Sequence, residues 1–187
     1  VLEGEFIDNV AGGSGNDTLD LDEITSRGAI INLDAGNWDL SPSFGGLATI
    51  SSIERVFGTQ ADDTITGTFN VQNLWGYSGN DTFVMLEGRF IDNVDGGNGV
   101  DAIDLSNVTS HGLTIDLDAG TYDLTPSFGG PATALRIETV FGTQTHDSIL
   151  GDVAGERLFG NGGNDTIDGR EGDDSLGGGL GNDLLRG

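Results

Sequence analysis

Residues 160–186 read GNGGNDTID, GREGDDSLG and GGLGNDLLR, three nine-residue units in register. Each opens on Gly and carries Gly at its fourth place (Gly163, Gly172, Gly181). Asp stands at the sixth (Asp165, Asp174, Asp183) and an aliphatic residue at the eighth (Ile167, Leu176, Leu185). The first six places are turn material, because glycine tolerates positive φ and lets a backbone approach closely. The last three carry one apolar side chain between outward-facing neighbours, which suits a short strand over a core. Two units make one coil of 18 residues with a turn on each side. Asp165 and Asp183 then stack one strand spacing apart, roughly 4.8 Å. Carboxylates that close repel unless a cation lies between them. Asp oxygens and turn carbonyls form a hard, flexible donor set that suits Ca²⁺ better than Mg²⁺ or a transition metal. A flexible linker would not keep an aliphatic residue at every ninth place.

This G-G-x-G-x-D-x-U-x pattern resembles the RTX, or haemolysin-type, calcium-binding family. The resemblance implies a right-handed parallel β-roll or β-solenoid, all-β, with several Ca²⁺ ions in rows between stacked turns. It also implies a bacterial protein exported through type I secretion machinery and folded by calcium outside the cell. By resemblance, the metal-binding carboxylates are Asp165, Asp174 and Asp183, then Asp17, Asp81 and Asp101, then Asp63 and Asp147. Carbonyl donors at the first and third places of the clean units are Gly160, Gly162, Gly169, Glu171, Gly178 and Leu180.

The pattern extends through an internal repeat. Residues 1–83 align with 85–167 without a gap, more than half of the positions being identical. The chain therefore divides into a first long repeat, 1–84, and a second, 85–187, ending in a five-unit array over 142–186. Similar units repeated in this way stack along one axis. Within each repeat, 21–57 and 105–141 abandon the nine-residue rhythm and are more apolar. The alternation at 113–117 and 136–140 reads as strands with one buried face. These segments are expected to form two wider inserted β rungs, with 39–46 and 123–130 projecting sideways. Sixth places taken two at a time give the ranks Asp147, Asp165, Asp183 and Glu156, Asp174. In the first copy they give Asp63, Asp81, Asp101 and Gln72, Asp92.

Composition narrows the function. There are 31 acids against 7 bases, a net charge of −24. That excludes nucleic acid and anionic membrane surfaces as partners. Self-repulsion favours an expanded chain unless cations bind the folded one. The absence of cysteine excludes disulfides and thiolate sites, and no apolar run approaches a membrane span. One core residue per nine cannot offset an ordering cost of about 1–2 kcal/mol per residue, so metal binding is expected to drive folding. Nothing points to catalysis: the acids fall at the repeat's ligand places, and His111 and His146 have no triad or metal spacing. The reading is a calcium-binding module, not an enzyme, in a larger secreted protein. Alternatives are an adhesin's ligand-binding or extender region, or the accessory module of a secreted polysaccharide- or protein-degrading enzyme. Trp38 and Tyr122, with Phe44 and Phe128 near Pro42 and Pro126, are candidates for contacting a carbohydrate or cell-surface ligand.

Overall fold

The computed structural model describes residues 8–40, 47–68, 70, 72–87, 92–125 and 131–187. The first repeat contributes β1 (Val10–Ala11), β2 (Thr18–Asp20), β3 (Ala29–Asn32), β4 (Asn37–Leu40), β5 (Ala48–Ser51), β6 (Arg55–Phe57), β7 (Thr64–Thr66), β8 (Asn73–Ser78) and β9 (Thr82–Val84). The second contributes their counterparts: β10 (Asn93–Asn98), β11 (Ala102–Asp104), β12 (Gly112–Asp116), β13 (Thr121–Thr125), β14 (Ala132–Leu135), β15 (Thr139–Phe141), β16 (Ser148–Leu150), β17 (Arg157–Phe159) and β18 (Thr166–Asp168). Two more strands, β19 (Ser175–Gly177) and β20 (Leu184–Arg186), complete the array.

Strands from successive half-coils fall alternately into two ten-stranded, mostly parallel sheets. One runs β1-β5-β4-β3-β7-β9-β11-β15-β17-β19, the other β2-β6-β8-β10-β14-β13-β12-β16-β18-β20. The protein is an all-β, roll-like stack of coils. Eighth-place side chains meet their neighbours in register: Ile65, Phe83, Ile103, Val140, Leu158 and Leu176 in the first sheet, Ile149, Ile167 and Leu185 in the second. Both columns point into one narrow core, where most of these residues are wholly buried. Leu185, on the last rung, is 42% exposed.

The inserts differ from the expected wide parallel rungs. Each is a three-stranded antiparallel meander built into one sheet, β3-β4-β5 and β12-β13-β14. A parallel neighbour needs a crossover through the opposite sheet, whereas a tight turn keeps the chain in its own. Here 33–36 and 117–120 (both LDAG) make that turn. Asn32 Oδ1 accepts the N–H of Ala35, Asp116 Oδ1 that of Ala119, and Gly36 and Gly120 supply φ of 67° and 64°. The strand expected over 136–140 begins only at Thr139, because Arg136 adopts φ 53°. Of the segments expected to project, 39–46 and 123–130, the first residues belong instead to β4 and β13; 41–46 and 126–130 lie outside the described residues, and Pro42, Phe44, Pro126 and Phe128 with them.

Trp38 and Tyr122 correct an expectation. They are 0% and 1% exposed, so neither offers a face to a ligand. Trp38 Nε1 donates to the carbonyl of Asp8 (3.1 Å), and Tyr122 Oη to that of Asp92 (2.7 Å). Each is an amphipathic anchor with its ring in the core and its polar tip on a carbonyl of the repeat's own leading nonapeptide.

The meanders sit in opposite sheets. Between equivalent strands the chain visits a sheet seven times, counting each meander as one visit. An odd number of half-coils turns the second copy to the other side of the stack.

Candidate metal centre

Sixth-place acids form two ladders, one on each side of the stack. In the first, Asp63 N–H donates to Asp81 Oδ1 (2.8 Å), Asp81 N–H to Asp101 Oδ1 (2.8 Å) and Asp101 N–H to Glu138 Oε2 (2.7 Å). Beyond, Glu156 N–H donates to Asp174 Oδ1 (2.9 Å). The opposite side holds Asp17 to Glu54 Oε2 (2.9 Å), Gln72 to Asp92 Oδ1 (2.7 Å), Asp147 to Asp165 Oδ1 (2.8 Å) and Asp165 to Asp183 Oδ1 (3.0 Å). The ranks read from sequence are thus brought together. Asp147 lies across from Asp63, because the second copy is turned over.

At Asp81, Asp101, Asp165 and Asp174 one carboxylate oxygen is therefore spent on the neighbouring coil. The other, like one oxygen each of Asp17 and Glu156, is buried with no hydrogen-bond partner. It folds back over the glycine that opens its own unit. A β-carbon on Gly160 would lie 2.1 Å from Asp165 Oδ2 and 2.7 Å from the carbonyl oxygen of Gly178, one coil on. The same pairing of a carboxylate and a carbonyl from the next coil recurs over Gly76 (Asp81 Oδ2, Gly96 O) and Gly151 (Glu156 Oε2, Gly169 O). First-place glycine is thus required by space: two acceptor oxygens occupy the volume of its missing side chain.

Two acceptors facing each other without a donor are costly when buried. Burial pushes Asp81 up to about 7 and Asp101 to about 6. Glu156 is raised to about 8, first by burial and then by its contact with Asp152, and Asp165 is raised by burial. Asp92 rises to about 7 for the same reason. A cation is what would let these groups stay ionised. Among the described residues no three His, Cys, Asp or Glu side chains converge, so any such ion draws its remaining oxygens from the backbone. The chemistry of the donors fits Ca²⁺.

Asp63 and Asp147 differ. Thr59 N–H donates to Asp63 Oδ2 (2.6 Å), while Thr59 Oγ1 (2.9 Å) and the Ala29 N–H (2.6 Å) donate to Oδ1. Asp147 is served likewise by Thr143 N–H (2.7 Å), Thr143 Oγ1 (2.7 Å) and the Leu113 N–H (2.7 Å). The Gly-Thr-Gln turns thus give both oxygens of their own carboxylates a donor. Gln72 closes its turn without charge, its Oε1 accepting the Thr68 N–H.

A family model for the RTX calcium-binding nonapeptide repeat, in four copies, matches residues 4–23, 57–84 and 150–185. The chain carries the RTX calcium-binding nonapeptide repeat. Among curated proteins no sequence matches it. The RTX family binds Ca²⁺, its repeats typically occur in secreted bacterial proteins, and the repeat module itself is non-catalytic.

Among the carbonyl candidates, Gly160, Gly169 and Gly178 each face the turn of the preceding coil as described for Gly178. Gly162 bridges Leu180, whose carbonyl already accepts the Gly163 N–H (2.8 Å), and Glu171 is exposed. His146 Nδ1 accepts the Asn164 N–H, the role Asp62 plays for Asn80 in the first copy; it is a turn residue. Sequence reasoning missed Glu54 and Glu138. The signal was present: TISSIERVF at 49–57 and TALRIETVF at 133–141 place Glu sixth and Val eighth, so the nine-residue frame reaches back into both inserts.

Proposed function

We propose that this chain is a calcium-dependent folding module, without catalysis of its own, in a larger secreted bacterial protein. Its ions are held by the turns of Asp17, Asp81, Asp101, Glu156, Asp165 and Asp174. The same reading extends to Asp183, whose Oδ2 folds over Gly178 as in the other units. Asp63 and Asp147 hold none. The observation that carries this reading is the set of six sixth-place carboxylate oxygens that are buried without a donor.

Bound calcium supplies positive charge to oxygens that otherwise repel. The chain's own residues do the rest. First-place glycines leave room, sixth-place acids tie each coil to the next through their other oxygen, and eighth-place residues close the core. With a net charge of −24, the ion-free chain is driven apart by its own acids, so calcium concentration sets whether the coils close. Such a chain stays extended where calcium is scarce and folds where it is abundant, the behaviour export in an unfolded state demands.

The test is calorimetric calcium titration with parallel far-UV circular dichroism. Several ions should bind cooperatively, coupled to a gain of β signal. Asp63→Asn with Asp147→Asn should leave the number of ions unchanged, and Asp165→Asn with Asp174→Asn should lower it. Identical spectra in calcium and in excess chelator would sink the folding reading. A reduced ion count in the Asp63/Asp147 variant would overturn the assignment of sites.

A further inference from the structure

The outer face of the second sheet, away from the core, carries an aromatic wall that runs into the turn ending β8. Alternation in β6 and β8 sends Val56 and Leu74 inward and Phe57, Trp75 and Tyr77 outward. Phe57 meets Trp75 edge-on at 4.8 Å and Tyr77 at 5.8 Å, bracing both rings. Beside the wall lies a depression of about 300 Å³ lined by Trp75, Tyr77, Asp95, Gly97, Asn98 and Arg136. A second, of about 350 Å³, shares Trp75 and Asp95 and reaches Asn73, Asn93 and Thr133. Together they form a trough along β8 and β10. Both strands are six residues long, so the trough runs for about 20 Å.

Its chemistry is mixed in a specific way. One side is aromatic. The floor mixes apolar and polar groups: Leu135 lines it beside Asn73, Asn93 and Thr133, where Asn93 Nδ2 donates to Asn73 Oδ1 and Asn93 Oδ1 accepts the N–H of Thr133 (both 3.1 Å). Arg136, the cation that lines it, is already paired with Asp95. Gly97 stands opposite Tyr77 in register, where a β-carbon would run into the Tyr77 backbone, so glycine lets the two strands approach closely there. Tyr77 itself is held at φ 74°, the second place of its turn. Equivalent places carry Gly13, Gly97, Asn161, Arg170 and Gly179. Positive φ is thus the regular geometry of this turn place, and in this copy it carries an aromatic ring.

We propose that this trough binds a neutral glycan chain. Trp75 and Tyr77 offer flat faces to the C–H faces of sugar rings, as amphipathic aromatics do. The amides and the Asp95–Arg136 pair face the hydroxyls, and the length accommodates several sugar units. Acidic glycans are repelled by a chain of charge −24 whose trough holds no free cation among its lining residues. An extended peptide, which would add to a sheet edge, finds none here, because β8 and β10 are paired on both sides.

The experiment is affinity electrophoresis of the whole chain, with calcium, through gels containing soluble β-glucan, galactomannan, xylan or polygalacturonate. The protein should be retarded by at least one neutral polymer and not by polygalacturonate. Trp75→Ala and Tyr77→Gly should each weaken that retardation about tenfold. Glycine suits the φ of residue 77, so Tyr77→Gly keeps the fold, checked by an unchanged calcium titration, and decides the matter if Trp75→Ala does not fold. No retardation by any neutral polymer, or equal retardation of wild type and Tyr77→Gly, overturns the proposal.

Discussion

Placing a methyl group on Gly160 tests the ion turn at its tightest point. The β-carbon of Gly160→Ala would stand 2.1 Å from Asp165 Oδ2 and 2.7 Å from the Gly178 carbonyl oxygen, where real contacts do not fall below 3.0 Å. The carboxylate must retreat by about 0.9 Å. Calcium–oxygen distances span only about 2.3–2.6 Å, so a shift of that size removes Asp165 Oδ2 as a ligand. Gly160 does not sit at positive φ, and the backbone itself accepts alanine. Losing one charged ligand is expected to weaken that ion by about a hundredfold, at the upper end of what disturbing a metal's supporting groups costs. The assay is the calcium midpoint of the β signal in far-UV circular dichroism. Gly187→Ala, whose β-carbon makes only an ordinary 3.7 Å contact with Leu176, is the control. A wild-type midpoint for Gly160→Ala would refute the claim that carboxylate and ion share the space above the first-place glycine.

Two further outcomes follow from buried groups. Burial raises Asp81 and Asp92 to about 7 and Glu156 to about 8, whereas unfolded carboxylates titrate near about 4. Between those values the folded, calcium-free chain keeps protons that the unfolded chain has released. Folding in chelator is therefore favoured below about pH 4 and loses that support as pH rises through about 7 to 8. The β signal in chelator should be larger at pH 5 than at pH 8, while with calcium, where protons compete for the same oxygens, the midpoint should rise as pH falls; a pH-independent signal in chelator would contradict this. Tyr122→Phe removes the donor to the buried Asp92 carbonyl and should cost about 1–3 kcal/mol, read as a lower thermal midpoint of the calcium-loaded chain. An unchanged midpoint would show that the hydroxyl does not anchor the insert.

The coil, its nine-residue rhythm and the turn acids were legible in the chain because everything they need is local. Gly160, Gly163, Asp165 and Ile167 lie within eight residues, and each has a role fixed by its own turn or strand. The reach of that rhythm into 49–57 and 133–141 was equally local, although hidden by the missing glycines around Glu54 and Glu138. Three features depended on residues far apart in sequence. Asp63 and Asp147 look like the other sixth-place acids, yet Thr59 and Thr143 with the N–H groups of Ala29 and Leu113 leave them no vacant oxygen; the latter donors are 34 residues away. Trp38 and Tyr122 look like surface aromatics beside a proline loop, but reach carbonyls 30 residues back and are buried there. The placing of the two meanders in opposite sheets followed from counting half-coils, which required knowing that each insert stays in one sheet. The repeating unit and the chemistry of its turn can be read from the chain alone, because periodic local geometry sets both. Which oxygens remain unsatisfied and which aromatic faces reach solvent depends on the folded stack, because hydrogen bonding and burial are set by the coil next door.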